Sequence, residues 1–327
     1  MVSNRMVALV YPAMKHLLAL LSLTLVLVAA EPPKGEPTNA KEAAAQAAAK
    51  KAAQDKVVDE RYVAWVAKLT PAEQAWEAVL QKQLGNFYLP LHKRDKIAGK
   101  SNAWDFVKDD PKLPRVLLIG DSVSRGYTQA TRKVLSGKAN VHRAPANCGP
   151  TASGLKNLDA WLGEGKWDVI HFNFGIHDRA TPAADYVKRL EEIVVRLQKT
   201  GAKLIWTSTT PIPDNPAQKQ TAASIVEKNA LAAEVMKKHG IPTDDLFAAM
   251  TPRLAEFQPP LDVHFTAAVT TSSVPRWAKQ SSAVSSKVPL SYVWAGPWAR
   301  ARGGIGLGNA DRPWCPRSRT SPDETHP

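Results

Sequence analysis

The sequence predicts an α/β fold in which a parallel sheet is covered by helices on both faces. From residue 114 onward, short apolar runs alternate with longer segments whose apolar residues recur at helical spacing. Such alternation is typical of strand–helix units, which place the strands in parallel and the helices on both faces of the sheet. The ligand site of such a fold lies beyond the carboxyl ends of its strands.

The strands are predicted from the apolar runs. Arg115 to Ile119 is a short run that ends at Gly120, which is typical of a buried strand. A short strand is expected within residues 138–143, and clearer ones within residues 168–173 and 203–208.

Helices are expected between these strands, beginning with residues 123–135. In residues 183–199 the large apolar side chains recur three or four residues apart, which is the spacing of one helix face. Residues 218–239 form a third helix, which ends before Gly240 because glycine commonly follows a helix C-terminus.

The first thirty residues are predicted to be a signal peptide. Lys15 precedes an apolar run over residues 17–28, and small residues follow it before Glu31, as in a secretory signal. The run is shorter than the ~20 residues that span a bilayer. We therefore expect an exported protein, periplasmic or extracellular, with no stable membrane span after cleavage.

Residues 31–69 are predicted to be a low-complexity spacer, and residues 70–113 a helical N-terminal extension. The first half of the spacer is rich in proline and then in alanine and lysine, so it cannot form a core and is only partly helical. In the extension, Thr70 is the expected N-cap of a helix, with Pro71 at its first position and Glu73 completing the capping box.

The net charge of +13 is concentrated at the two ends of the chain. Residues 267–327 carry eight Lys/Arg and three Asp/Glu, and the first thirty residues carry two basic residues and no acid. The middle of the chain has no basic stripe interleaved with aromatic residues, the pattern typical of nucleic-acid binding. A nucleic-acid partner is therefore not expected.

No cofactor or metal is expected from the motifs. The chain has no H-E-x-x-H or G-x-x-x-x-G-K-[ST] motif, and its histidines lack the spacing of metal ligands. The two cysteines, Cys148 and Cys315, are too few for a disulfide framework. Two free thiols, or one bridge in an oxidising compartment, both remain open.

Three short segments place reactive residues after a strand or in a late loop. Gly-Asp-Ser at residues 120–122 follows the first strand, Asn-Phe-Gly-Ile-His-Asp occupies residues 173–178, and Leu-Asp-Val-His-Phe-Thr occupies residues 261–266. The backbone N–H of a serine in a strand-to-helix turn can hold an oxyanion. The alternative is that Asp121 and Ser122 only cap the next helix.

A serine, a histidine and an aspartate in these segments have the chemistry of a catalytic triad. The hydroxyl of Ser122 needs an imidazole to take its proton, and the imidazole needs a group that fixes its tautomer. His264 and Asp262 supply these two roles. Residues i and i+2 of an extended segment face the same side, so Asp262 can orient His264. A Ser–His dyad oriented by a backbone carbonyl is the alternative.

With these motifs, residues 114–266 resemble the SGNH hydrolase superfamily, the GDSL-like esterases and acylhydrolases. The resemblance implies a three-layer sandwich with a flavodoxin-like parallel sheet. It also implies that Ser122 is the nucleophile and His264 the base. In that family the acid lies three residues before the histidine, whereas Asp262 lies two residues before it.

The resemblance also implies an oxyanion hole. Its donors would be the backbone N–H groups of Ser122 and Gly149 and the side chain in the G-x-N-D block, where His177 replaces the asparagine. An imidazole N–H can donate to an oxyanion, so the role can survive the replacement. Asn173 is the alternative donor.

These observations predict an exported serine esterase that cleaves carboxylic esters of a small molecule or a polysaccharide. The resemblance suggests carbohydrate O-deacetylation. A lipid or thioester hydrolase with the same residues is one alternative, and an inactive carbohydrate-binding or structural module is another. The oligomeric state and the identity of the acyl group and alcohol are left open.

Residues 267–327 are predicted to be a disordered or out-of-frame tail. No helical or alternating period follows Thr266, and the stretch is rich in tryptophan, arginine, proline and glycine, like a GC-rich gene read in the wrong frame. Members of the superfamily normally have an amphipathic helix at this point. A genuine divergent extension is the alternative.

Overall fold

The computed structural model describes residues 37–218 and 220–266. The chain divides into two compact units, residues 1–54 and 55–327. The predicted signal peptide and the predicted tail lie outside the described residues. Within the described part of the chain, none of the helices combines the length and the apolar composition that a membrane span requires.

Among the residues that the structure describes, three helices precede the sheet: α1 (Pro37–Val66), α2 (Pro71–Gln83) and α3 (Gly85–Ile97). Helix α2 begins as the sequence predicts. The Thr70 hydroxyl accepts from the backbone N–H of Glu73, and the Glu73 carboxylate accepts from the backbone N–H of Thr70. This reciprocal capping box satisfies two of the free N–H groups at the helix start.

The end of α1 is packed into the extension. The Tyr62 side chain is buried, and its hydroxyl donates to Glu77 in α2 over 2.5 Å. The same carboxylate oxygen lies 2.8 Å from the ring nitrogen of His92, which is buried in α3. The packed extension therefore begins before residue 70, within the stretch that composition alone assigns to a spacer.

The remaining elements alternate between strands and helices, and two short helices close the described chain. In order they are β1 (Arg115–Ile119), α4 (Ser122–Val134), β2 (Asn140–Arg143), α5 (Thr151–Leu162), β3 (Val169–Phe172), α6 (Ala183–Gln198), β4 (Lys203–Thr207), α7 (Ala222–Lys238), β5 (Thr243–Asp244), α8 (Leu246–Met250) and α9 (Leu254–Phe257). All five strands are parallel, in the order β2-β1-β3-β4-β5. This is the flavodoxin-like order, so the predicted fold class is confirmed.

Alternate residues of each strand face opposite helix layers. Leu117 and Ile119 of β1 pack in one cluster with residues of α5, α6 and α7. Val116 and Leu118 pack in the other with residues of α4 and α8. Each of these four side chains is at most 1% exposed, and burying one contributes about 1.5–3 kcal/mol. The sheet is therefore covered on both faces.

Helix α7 begins four residues later than the predicted start at residue 218. Asn215 and Gln220 pair as an antiparallel bridge, which holds this stretch as a turn. Thr221 then caps the helix by accepting from the backbone N–H of Ser224. The bridge, which ends at Gln220, and the cap at Thr221 set the start of the helix.

Candidate active site

Residues 120–124, called the serine turn below, connect β1 to α4. Ser122 is the first residue of α4, and the Asp121 carboxylate caps the helix by accepting from the backbone N–H of Val123 over 2.9 Å. A Cβ on Gly120 would lie 2.8 Å from the Ser124 hydroxyl oxygen, so glycine is needed there. The turn places Ser122 beyond the carboxyl end of β1, where the fold class predicts the site.

The structure brings together the three predicted triad residues. The Ser122 hydroxyl oxygen lies 2.7 Å from Nε2 of His264. Nδ1 of the same ring lies 2.7 Å from Oδ1 of Asp262. A carboxylate only accepts hydrogen bonds, so Nδ1 carries the proton and Nε2 presents its lone pair to the serine. This is the tautomer that a general base requires.

Asp262 is held in place by the residue that it orients. The backbone N–H of His264 donates to Asp262 Oδ1 over 3.0 Å, in addition to the ring contact. These hydrogen bonds, the backbone one first, hold the pKa of Asp262 below its usual value. The carboxylate therefore stays ionised at neutral pH, and the exposure of its side chain, 48%, also favours the charged form. Leu261 makes the turn possible with a left-handed φ of 62°.

The predicted Gly149 lies in a loop that a buried aspartate anchors. Gly149 has a φ of 67°, which favours glycine, and it follows Cys148, whose backbone N–H donates to the carbonyl of Gly120 in the serine turn over 3.2 Å. Asp178 accepts from both the backbone N–H and the hydroxyl of Thr151, each over 2.7 Å. A carboxylate at the start of α5 also interacts favourably with the helix dipole. Asp178 thus fixes the end of the loop that carries Gly149.

His177 and Asn173, the two predicted donors in the third segment, lie in different surroundings. The Asn173 amide donates to the Thr207 carbonyl over 2.8 Å and to the Thr209 hydroxyl over 3.0 Å, which uses both of its hydrogens. His177 is exposed, in a 3₁₀ turn over Ile176–Asp178. Of the two, His177 is therefore the candidate oxyanion donor.

Gly175 lets this segment approach the neighbouring strand end. A Cβ at Gly175 would lie 1.9 Å from the Thr209 hydroxyl oxygen, which no side chain permits. The close approach allows Asn173 to reach Thr207 and Thr209. The polar residues that follow β3 and β4 are thereby joined in one network.

Arg143, at the end of β2, was not predicted from the sequence. Its guanidinium is buried and donates to Ser124 Oγ over 2.5 Å, to the carbonyl of Asp121 over 2.8 Å and to the carbonyl of Gly120 over 3.0 Å. The sequence did contain one indication of this role. Arg143 lies inside a short predicted strand, and an arginine is rarely buried without partners.

Cys148 is a free, fully buried cysteine beside Gly149. Burial raises the pKa of its thiol to about 12. The thiolate is the reactive form, so this cysteine is not an activated nucleophile. Cys315 lies outside the described residues.

Residues 118–269 match the model of the GDSL-like Lipase/Acylhydrolase family. The match covers just under half of the chain. The GDSL-like domain therefore takes in the serine turn, the loop of Gly149, the third segment and the loop that carries His264. It is the domain of an esterase or acylhydrolase.

Solved structures with similar folds include three hydrolases. A lipase/acylhydrolase from Enterococcus faecalis is 22% identical, with a TM-score of 0.44, over 48% of this chain and 90% of that chain. The acetyl xylan esterase AlAXEase is 15% identical, with a TM-score of 0.44, over 52% and 99%. The acetylxylan esterase Axe2 from Geobacillus stearothermophilus is 14% identical, with a TM-score of 0.43, over 49% and 90%. No curated protein matched the chain.

Proposed function

We propose that this protein is an exported serine esterase in which Ser122 is the nucleophile, His264 the base and Asp262 the orienting acid. One observation carries the proposal: two consecutive 2.7 Å contacts join the serine hydroxyl, the imidazole and the carboxylate. Both contacts are within the reach that proton transfer and tautomer control require.

The reaction follows from this arrangement. Ser122 Oγ attacks the ester carbonyl carbon while His264 Nε2 takes the hydroxyl proton. The tetrahedral intermediate collapses as His264 returns the proton to the leaving alcohol, which leaves an acyl ester on Ser122. Water, deprotonated by His264, then attacks that ester, and the carboxylic acid is released with the serine restored.

The oxyanion of the intermediate is assigned to three donors. The backbone N–H of Ser122 lies at the N-terminus of α4, where the helix dipole favours negative charge. The N–H of Gly149 and the exposed ring of His177 complete the set. Such donors act because they are aimed at the charge before it develops.

We propose an O-acetylated polysaccharide as the substrate class. Exported members of the SGNH superfamily often remove acetyl groups from polysaccharides. The side chains of Asp262 and His264 are about half exposed, and an open site of this kind can admit the bulky alcohol of a polymer.

Export is proposed from the first thirty residues. If it occurs, the mature protein begins at Glu31. Amino-terminal sequencing of the secreted protein would reveal that end. An intact chain that starts at Met1 would contradict export by signal cleavage.

The activity is tested with a fluorophosphonate probe and short-chain aryl esters. The wild-type chain should be labelled and should turn over the ester, whereas Ser122→Ala should do neither and should keep its melting temperature. Ser224→Ala is the matched control, since this serine lies in the first turn of α7 and its hydroxyl donates to the backbone carbonyl of Thr221, and it should be labelled normally.

Labelling of Ser122→Ala would refute the proposed nucleophile. A wild-type chain that is neither labelled nor active on aryl esters would favour the inactive binding module. For the substrate class, acetate release from acetylated polysaccharide is measured. An enzyme that cleaves aryl acetate and long-chain lipid esters but no acetylated glycan would overturn the polysaccharide assignment.

A further inference from the structure

Arg143 is an unusual residue to find beneath a predicted nucleophile. Its side chain is 1% exposed, and a buried guanidinium is costly unless its donors are satisfied. No carboxylate accepts directly from it among the described hydrogen bonds; its partners are two backbone carbonyls and one hydroxyl. Placing a charge there for stability alone would be a poor solution, because apolar packing serves the core better.

The three partners of Arg143 lie on both sides of Ser122. The carbonyls of Gly120 and Asp121 precede the serine, and the hydroxyl of Ser124 follows it. Ser124 Oγ also donates to the carbonyl of Asp121 over 2.8 Å. The planar fork of an arginine can hold several acceptors in fixed directions, which a lysine cannot do. The guanidinium therefore fixes the serine turn from beneath.

The N-terminal extension supports the guanidinium from the opposite side. Cζ of Arg143 lies 5.8 Å from the ring centroid of Trp104, a residue of the extension that is 2% exposed. The Trp76 indole of α2 donates to the carbonyl of Trp104 over 2.8 Å. Gln129 of α4 donates to the neighbouring carbonyl of Asn102 over 2.7 Å. The segment around Trp104 is thus tied both to the extension and to the helix that begins at Ser122.

We propose that Arg143 is a positioning residue for Ser122, held in register by Trp104. It acts on the reaction through the serine turn and touches no substrate. The inference rests on the proposed function, because its effect is read through the reactivity of Ser122. An enzyme needs its nucleophile within a fraction of an ångström of the attacking geometry, and small displacements lower the rate steeply.

The first test replaces Arg143 with lysine, which keeps the charge and loses the fork. In Arg143→Lys, kcat for an aryl ester should fall about tenfold or more, with KM within about twofold of wild type. The rate of fluorophosphonate labelling should fall by the same factor. Arg196→Lys is the control: Arg196 also donates to a backbone carbonyl, that of Leu155, and to the Asp159 carboxylate, but it contacts neither the serine turn nor the segment around Trp104. It should lose thermal stability and keep its kcat.

A second pair of variants makes only small changes to the packing. Ser124→Ala removes one of the three acceptors of Arg143 and should lower kcat about threefold to tenfold at unchanged KM. Thr131→Val is its control on the same helix, since the Thr131 hydroxyl donates to the carbonyl of Tyr127 and not to Arg143. If Arg143→Lys does not fold, this pair decides the question.

The outcomes separate this inference from the proposed function. A normal kcat in Arg143→Lys or, if that variant does not fold, in Ser124→Ala overturns the positioning role while leaving the esterase intact. Equal losses of kcat in Arg143→Lys and Arg196→Lys also overturn it, because they would indicate a general loss of structure. An inactive, unlabelled wild-type chain is a failure of the proposed function itself.

Discussion

The serine turn and the loop that carries His264 are built in opposite ways. Asp121, Ser122 and Ser124 are each less than 9% exposed, whereas the side chains of Asp262 and His264 are about half exposed. The serine turn is continuous with β1 and α4 and lies over the core. The histidine loop, residues 259–266, ends the described chain.

The histidine loop packs against two small clusters that are separate from the two large core clusters. The backbone N–H of Thr266 donates to the carbonyl of Phe257 over 2.8 Å, and Asn215 donates to the carbonyl of Leu261 over 3.3 Å. Phe265 packs against the small cluster of Met250 and Phe257. The comparison teaches that the fold pre-organises the nucleophile, whereas the base depends on a short loop with little core beneath it. The predictions below probe each side of this difference.

The largest expected loss of kcat is at His264, in the exposed histidine loop. His264→Ala should lower kcat by roughly 10⁴-fold or more, because the base of a triad acts as a unit with its nucleophile. Its melting temperature should stay close to that of wild type, since an exposed side chain contributes little packing. The measurements are steady-state kinetics and thermal unfolding. A variant that keeps more than a tenth of its activity would mean that another group removes the serine proton.

Asp262→Asn should lower kcat less than His264→Ala does, because an amide favours the wrong tautomer while the serine and base remain. The backbone N–H of His264 can still donate to the amide oxygen, so the loop should keep its shape. The test is to measure the steady-state kinetics of Asp262→Asn and to compare its loss of kcat with that of His264→Ala. Equal losses would show that the acid is fully engaged, and no loss would favour the Ser–His dyad.

The sequence specifies the serine turn better than its surroundings. The apolar run that stops at Gly120 gives β1 its observed bounds, and α4 begins within one residue of its predicted start. Local pattern suffices there because burial and the turn are encoded in adjacent residues. The partnership of Asp262 with His264 was predicted only as one of two alternatives. The left-handed turn at Leu261 that brings them together is not encoded in spacing.

Elements whose support comes from distant residues were not predicted. Helix α5 begins after Pro150 with no cap from its own segment, and its first N–H is satisfied by Asp178, 27 positions away. Helix α3 lies in the segment that was predicted to be helical, but its bounds were not predicted, and it contains Pro90, which ordinarily indicates a break. Arg143 went unrecognised for the same reason, since its partners in the serine turn are about twenty positions away. Tertiary contacts of this kind leave no periodic signal.

Variants of His177 test whether this exposed residue also donates to the oxyanion. If it does, His177→Ala should lower kcat by about 10²–10³-fold with little change in KM. His177→Asn, which restores the family's usual residue, should recover part of that loss. Steady-state kinetics on an aryl ester decide between the outcomes. An unchanged kcat in the alanine variant would leave the oxyanion to the backbone N–H groups alone.

The last and smallest effect concerns the rate of thiol modification at Cys148, which is buried against the serine turn. Because burial raises its pKa to about 12, the thiol is almost entirely protonated at pH 8 in the folded chain. In a Cys315→Ser background, a disulfide reagent should therefore modify the native protein very slowly and the denatured protein at once.

The same measurement sharpens the comparison between the two regions. Cys148 lies against the serine turn, so its protection should persist in His264→Ala, which alters only the exposed loop. It should decrease in Ser124→Ala, where the turn has lost one of its bonds to Arg143. Since only the thiolate reacts, modification of the folded chain should rise as the pH approaches 12. Rapid modification at pH 8 in the wild-type fold would mean that the serine turn opens readily, and that the contrast between a fixed nucleophile and a loosely held base does not exist in solution.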